Sequence, residues 1–495
     1  MRGVIMLYAG PFNPPVIRQL LRINISLMVS IEFIQNVMIS FASSYLCGAL
    51  GMTRHTFSFS TAIYAATAII LISQHHWLVS HLGYRRFIRY ALAAFTLGAL
   101  ICAHAQTPNA YILGRFVQAI GGSAFFTAAR VHVNFFPATP SGRGLAIRYM
   151  AYSLVGCSAA ASMLAATLLE HFSWRAMFLI QLPQIGLVWW LSGKTVSNVR
   201  KQRRAGRLHS GSMLSLVAGV LLLQYVAETV PYDISDLKPL LLLLPFAIAG
   251  LALFIYVEHR RHRSSLPFRH LFSSRYLVGL FYYALCYLIL SSVNYLIPIF
   301  LQQGLAIPVL NCGLLVSSTG LIALGFAWIH LNTAARYPYQ KHYLLFAFAC
   351  LTIFGFSCSQ FTPQMPLWTM ALPLLFLSGF TAIGQGTAAF HTFRETDNRI
   401  FSQAYQTKNI LRELMNSTGI TITNVFLQNR EALHYTRIAE NLPLTTTTSP
   451  QYSTTTLLAV VNQQVVVMSC LDWFLVIGMT GLFFLFFSAW QRRVV

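Results

Sequence analysis

The chain has 495 residues, of which 56% are hydrophobic and only 9% charged, with a mean hydropathy of +0.59. A soluble domain carries roughly 25% charged residues, so a water-soluble globular fold is excluded. The formal net charge of +22 is spread over many short links rather than gathered on one face, which argues for membrane topology and against a nucleic-acid partner.

In hydrocarbon only helices and closed barrels satisfy their own backbones. The apolar runs here are continuous over about twenty residues, whereas a barrel would alternate in segments of about ten. The expected class is therefore an all-α membrane protein. A short basic lead, Met1–Arg22, is followed by fourteen predicted spans. The first six are near Ile23–Cys47, Phe57–Val79, Tyr90–Ala105, Tyr111 onward, Leu145–Leu169 and Ala176–Gly193. The most basic link, GKTVSNVRKQRRAGRLHSG, precedes two spans near Met213–Ala227 and Pro239–Val257. Six more fall near Tyr276–Leu301, Pro308–His330, Tyr343–Gln360, Pro366–Phe390, Tyr405–Leu427 and Cys470–Trp490. GPFNPP breaks the only apolar start and no small-residue cleavage site follows, so insertion is expected to rely on the first span.

Charge tests this arrangement. With the N-terminus in the cytoplasm and fourteen spans, cytoplasmic segments hold 28 Lys/Arg and external ones 5, with Arg115 left inside a span. That bias is the positive-inside rule, and it places both termini in the cytoplasm of a multi-pass inner (plasma) membrane protein. The eight cysteines lie in or beside apolar runs without a CxxC pair and read as small core residues. No cofactor, metal or lipidation is indicated. Enzyme signatures such as a Walker loop, HExxH or GxSxG are missing from the sequence.

Polar residues inside spans are costly and are functional candidates by default. Glu32 lies near the middle of the first span, and Arg115 opens the fourth, followed by Gln118 and Gly121-Gly122. Arg412 and Glu413 fall near the cytoplasmic start of the thirteenth span, as a gate or an interfacial pair. Asp472 is expected to cap the last helix at its external start. His75, His76, His104 and His132 sit at span ends, where an interfacial place is expected. One long external link, 428–464, opens with QNREALHYTRIAENL, whose Leu433, Ile438 and Leu442 suit an amphipathic helix. It is either a docking surface for a periplasmic partner or a solvated loop on the membrane.

Several motifs together resemble the fourteen-helix major facilitator superfamily transporters of the EmrB/QacA type, the drug:proton antiporters. LGRFVQAIGG is similar to the helix 4 pattern, with Ala119 for a usual glycine. SGRGLA and FSWRAMFLIQLP resemble the link before helix 5 and the pattern flanking helix 6, with Gln181 for the usual asparagine. NILRELMNSTGITI resembles the helix 13 region, and Asp472 with Phe474 fits the final helix. Two departures stand out. The link after helix 2 keeps Leu78, Gly83, Arg85 and Arg86 but has His76 and Ser80 where the pattern has glycine and aspartate. The antiporter pattern of helix 5 is replaced by Ala161, Ser162, Ala165 and Ala166, which still permit close helix packing.

The resemblance implies a six-helix half over 1–193, two inserted helices with basic loops over 194–275, and a second half over 276–495. It implies proton-coupled efflux of a small organic molecule, a drug or a secreted metabolite such as a siderophore. Passive facilitation and proton-symporting uptake are the alternatives. Exchange with protons needs an intramembrane group whose proton affinity differs between inward- and outward-facing states. Glu32 falls near the place of the family's helix 1 aspartate, and Arg115 is the expected cation facing it. Substrate contacts are expected from Asn36, Gln118, Asn294, Tyr295 and Gln302, near the midplane. Gating is expected from Gly83, Arg85, Arg86, Arg143, Arg412 and Glu413. The expected partners are the solute, protons, the lipid bilayer and a periplasmic adaptor. The residues do not favour a cationic over a neutral or anionic solute.

Overall fold

The computed structural model describes residues 14–133, 140–196, 210–229, 237–260, 274–337, 339–362, 365–393, 401–441 and 454–491. Among these, all regular structure is helical, as the continuous apolar runs require in lipid. The long helices are α1 (Pro14–Phe41), α2 (Arg54–Ser73), α3 (Tyr84–His104), α4 (Pro108–Val133), α5 (Pro140–His171) and α6 (Leu182–Thr195, led by the turn Ala176–Leu179). Next come α7 (Ser210–Thr229), α8 (Leu237–Arg260), α9 (Ser274–Ile299), α10 (Val309–Arg336) and α11 (Gln340–Ser359). The last three are α12, made of Ala371–Gly379 and Gln385–Phe393 around a π turn, α13 (Phe401–Asn441) and α14 (Thr454–Trp490).

Each predicted span is a helix, and 12 helices among the described residues are long and apolar enough to cross a membrane. The two below that mark are α7, with the shorter apolar run Gly211–Val226, and α13, which carries many polar residues.

Two boundaries differ from expectation. The link expected at 428–464 begins as an unbroken continuation of α13 to Asn441; residues 442–453 lie outside the described part. The last helix starts at Thr454 rather than near Cys470, which puts Asp472 well inside α14 and not at its cap. There Asp472 meets Arg430 (3.1 Å) and His434 (2.8 Å) of α13. A cluster of charges on two neighbouring helices replaces the expected dipole contact.

The helices pack as two interlocked groups. α5 crosses α10 and α2 crosses α13, while α1 lies against α4, α5 and α6, and α11 against α14. α7 and α8 pack on each other, and α7 also lies along α2. The small residues of α5 serve the α5–α10 contact. A Cβ added at Gly320 of α10 would strike the backbone of Ala159, so the two helices touch main chain to main chain. Ala161, Ala165 and Ala166 are buried on the same helix.

Two π turns interrupt the helices. Pro298 near the end of α9 lacks an N–H to donate, and the helix widens at Phe300–Gly304. The second, Phe380–Gly384, lies within α12 beside the central cavities described below.

Candidate functional site

Glu32 of α1 faces α13. Arg412 Nη2 donates to Glu32 Oε1 at 2.8 Å and also to Glu413 Oε1. All three side chains are at most 3% exposed. The guanidinium is held between rings, 4.9 Å from the centroid of Phe33 and 4.5 Å from that of Phe126. Glu32 Oε2 and Arg412 Nε and Nη1 have no protein partner among the described residues. With all three ionised, two carboxylates against one guanidinium leave one negative charge, and a single proton brings the cluster to neutrality.

The expected Glu32–Arg115 pair is not made. Arg115 Nη1 donates to Gln118 Oε1 (2.7 Å), Nη2 donates to Asn36 Oδ1 (3.2 Å), and the guanidinium lies 4.2 Å from the ring centroid of Tyr64. Gly122 makes room for this ring: a Cβ there would collide with the Tyr64 hydroxyl. Arg115 is thus held by amide dipoles and a π face rather than by a carboxylate, and Glu32 pairs with Arg412 instead.

Glu32, Asn36, Tyr64, Arg115, Asn294, Arg412 and Glu413 line one chamber of about 150 Å³. A larger cavity of about 630 Å³ adjoins it, and Leu154, Val155, Tyr287, Thr381 and Gln385 belong to both walls. This larger cavity lies toward the face of the bundle where α1, α5 and α13 begin, here called the near face. Of the expected substrate residues, Asn36 and Asn294 line the chamber. Gln118 is buried behind Arg115. Tyr295 stacks on Phe57 (5.9 Å), and Gln302 Nε2 donates to Phe41 O (3.4 Å), both outside the chamber lining.

The expected gate residues divide. Arg412 and Glu413 lie about three turns into α13 and join the central cluster rather than the near face. Arg85 Nε donates to Val196 O (2.6 Å), which ties the start of α3 to the end of α6. Gly83, with φ +79°, makes the sharp entry into α3, and Arg86 is exposed. Arg143 falls in the first turn of α5, its side chain outside the described part. His75 and His132, expected at the interface, are buried against Tyr84 (6.2 and 5.1 Å between ring centroids).

A closure at the far face was not foreseen. Arg54 Nη1 donates to Glu431 Oε1 (2.6 Å) and Nη2 to Gln303 Oε1 (2.7 Å), while Gln303 Nε2 donates to Ser44 Oγ (2.8 Å). These four residues join α2 and the short helix Ser43–Leu50 that follows α1 to the π turn after α9 and to α13. In the sequence Arg54 and Glu431 read as link residues 377 positions apart, with nothing to pair them. The bridge is about a quarter exposed, so a contribution of up to about 1 kcal/mol is expected. Glu431→Gln should therefore raise the rate at which an impermeant thiol reagent reaches Asn294→Cys from the far face by roughly fivefold. An unchanged rate would show that the bridge does not hold that face shut.

A central polar chamber between interlocked helix groups, adjoining a large cavity toward one face and tied at the other, is the arrangement of a membrane transporter. The family model of the Major Facilitator Superfamily matches residues 25–396. The chain belongs to the major facilitator superfamily.

A Bacillus subtilis relative, the uncharacterized MFS-type transporter YhcA, is 23% identical over 431 residues, covering 85% of this chain and 78% of its own. A Yersinia enterocolitica relative named for multidrug resistance, MdtD, is 26% identical over 401 residues, covering 77% and 80%. Among solved structures, a bacterial homologue of the lysosomal transporter Spinster, inward-facing and unoccupied, superposes with a TM-score of 0.64 at 12% identity, covering 98% of each chain. The xylose transporter XylE of E. coli, partially occluded and inward open, superposes at 0.61 with 13% identity, covering 95% and 97%. At such identities these structures speak for the fold alone.

Proposed function

We propose that this transporter exports a small organic molecule from the cytoplasm in exchange for protons, with Glu32 as the proton carrier. The observation that carries this is the buried cluster Glu32–Arg412–Glu413, which when ionised has one negative charge in excess, at the wall of a chamber that adjoins a large cavity. A buried ion cluster is a poor stabiliser compared with apolar packing, so its presence in the chamber favours a working role. Export is favoured over uptake by relatives named for multidrug resistance.

In this reading all fourteen helices cross the inner membrane and both termini are cytoplasmic, in keeping with the basic links. Residues 1–193 and 276–495 act as the two moving halves around the inserted α7–α8 pair. The near face is then the cytoplasmic one, and the Arg54–Glu431 bridge closes the external side. Asn36 and Asn294 bind solute at the chamber, and Arg115 orients Asn36. The projecting ends of α13 and α14 are the surface on which a periplasmic adaptor would dock.

The test is transport in proteoliposomes of fixed orientation. An imposed pH gradient should concentrate a transported solute against its own gradient, and collapse of the proton gradient should abolish that accumulation. Equilibration without accumulation would make the protein a passive facilitator.

A further inference from the structure

The near-face cavity has a charge pattern that the coupling cluster does not use. Among the described residues its wall carries Arg130, Arg148 and Lys408 and no aspartate or glutamate. The carboxylates of the adjoining inner chamber, Glu32 and Glu413, are taken up by Arg412. Lys408 is the unusual member. It is 4% exposed, and the groups around its ammonium are rings: Tyr283 at 4.0 Å from the centroid, and Phe393 and Tyr405 at 5.2 Å. It lies one turn before Arg412 on the same face of α13, so its nearest fixed charge along the helix is repulsive.

Faces of aromatic rings offset only part of the cost of burying an ammonium. Serving topology alone would let the side chain reach the head groups, as long basic side chains do at span ends. Lys408 instead ends inside the cavity. Arg130 leans over Phe401 (4.7 Å) and Tyr405 (5.7 Å) on the same wall. The remaining wall is largely apolar, with Phe126, Met150 and Phe390 among its residues. The volume of about 630 Å³ falls in the range of roughly 300–1,000 Å³ that takes one drug-sized molecule.

We propose that the near-face cavity receives its solute as an organic anion, with a carboxylate or sulfonate on Lys408 and an aromatic or aliphatic body against Tyr283, Phe126 and Met150. As the substrate class of the exporter, this rests on the transport function proposed above. The same chemistry, an acidic head on an apolar body, is also offered by an anionic phospholipid, and the experiment separates the two sources.

Binding is measured on the purified full-length protein in uncharged detergent by isothermal titration calorimetry. The probes are 1-naphthalenesulfonate and its cationic counterpart 1-naphthylmethylammonium. The sulfonate should bind at least about tenfold more tightly than the ammonium, the difference expected when one ligand makes a charge-assisted hydrogen bond and the other cannot. Lys408→Gln should weaken the sulfonate about tenfold and leave the ammonium unchanged or tighter, and Lys408→Arg should retain most of the affinity. Equal or tighter binding of the ammonium, no binding of the sulfonate, or an unaltered sulfonate affinity in Lys408→Gln would each overturn the proposal. In phosphatidylcholine nanodiscs, a rise in melting temperature on adding phosphatidylglycerol that Lys408→Gln abolishes, with no sulfonate binding, would assign the site to lipid and overturn the solute. These are equilibrium measurements without a proton gradient. They can fail while proton-driven transport stands, and can succeed while it falls.

Discussion

Glu32→Gln is expected to reduce pH-gradient-driven transport to background while leaving folded, monodisperse protein. The amide has nearly the volume of the carboxyl, and its oxygen can still accept from Arg412 Nη2, which now bonds Glu32 Oε1 at 2.8 Å. What is lost is the second carboxylate of the cluster. Arg412 and Glu413 then balance each other, and no group at α1 can take up or release a proton as the bundle changes its opening. Solute exchange between the two sides without a gradient should persist, because the chamber keeps its shape. Counterflow of labelled solute in the same proteoliposomes measures that directly. Glu32→Asp, shorter by one methylene, should recover part of the driven transport. Accumulation by Glu32→Gln equal to that of the unaltered protein would remove Glu32 from proton coupling.

Arg412→Leu should be the most destabilising single change in the core. It leaves Glu32 and Glu413 buried, at most 3% exposed, with no cation between them. Removing one partner of a buried ion pair costs about 3–5 kcal/mol, because the other charge is left unpaired in a poorly polarisable place. Lost packing against Phe33 and Phe126 is partly replaced by the leucine. The measurement is unfolding of purified protein in detergent, by melting temperature or by denaturant titration. Adding Glu32→Gln and Glu413→Gln to Arg412→Leu should restore most of the stability, since three neutral side chains then replace three charges. Driven transport should stay absent in the triple variant. If Arg412→Leu melts with the unaltered protein, the guanidinium does not hold the two carboxylates together.

Much of the architecture is legible in the sequence because lipid admits few solutions. An apolar run of twenty residues must become a helix, and the basic links order the crossings. Motifs such as LGRFVQAIGG and FSWRAMFLIQLP fall within the residues that the family model matches. The misplaced boundary of α14 has a local cause. Asn462, Gln463 and Gln464 interrupt the apolar run before Cys470 and suggest a link, yet Gln463 Nε2 finds Gly304 O at 3.0 Å and the helix continues.

The site was half legible for a different reason. That Glu32 and Arg115 are unusual follows from a charge in hydrocarbon, and both line the chamber. Which cation serves Glu32 does not follow, because Arg412 is 380 residues away in the chain. A helix placed over 405–427 leaves Arg412 near a water boundary, whereas the helix that begins at Phe401 carries it to the middle. Tyr295 and Gln302 are on spans that do reach the chamber, but on faces turned from it. Facing within a bundle is set by neighbours, and the weak periodicity of these apolar helices does not encode it.

Lys408, Arg412 and Glu431 all belong to α13, an unbroken helix of 41 residues. At a rise of about 1.5 Å per residue, Arg412 and Glu431 lie about 28 Å apart along a single stiff axis. In the proton exchange proposed above, the helix would act as a connecting rod. A tilt or twist of this rod as the guanidinium changed its hold on Glu32 would be delivered to the Arg54 fastening at the other end in the same movement. Coupling of proton, cargo and seal would then need no relay of repacking side chains across the protein.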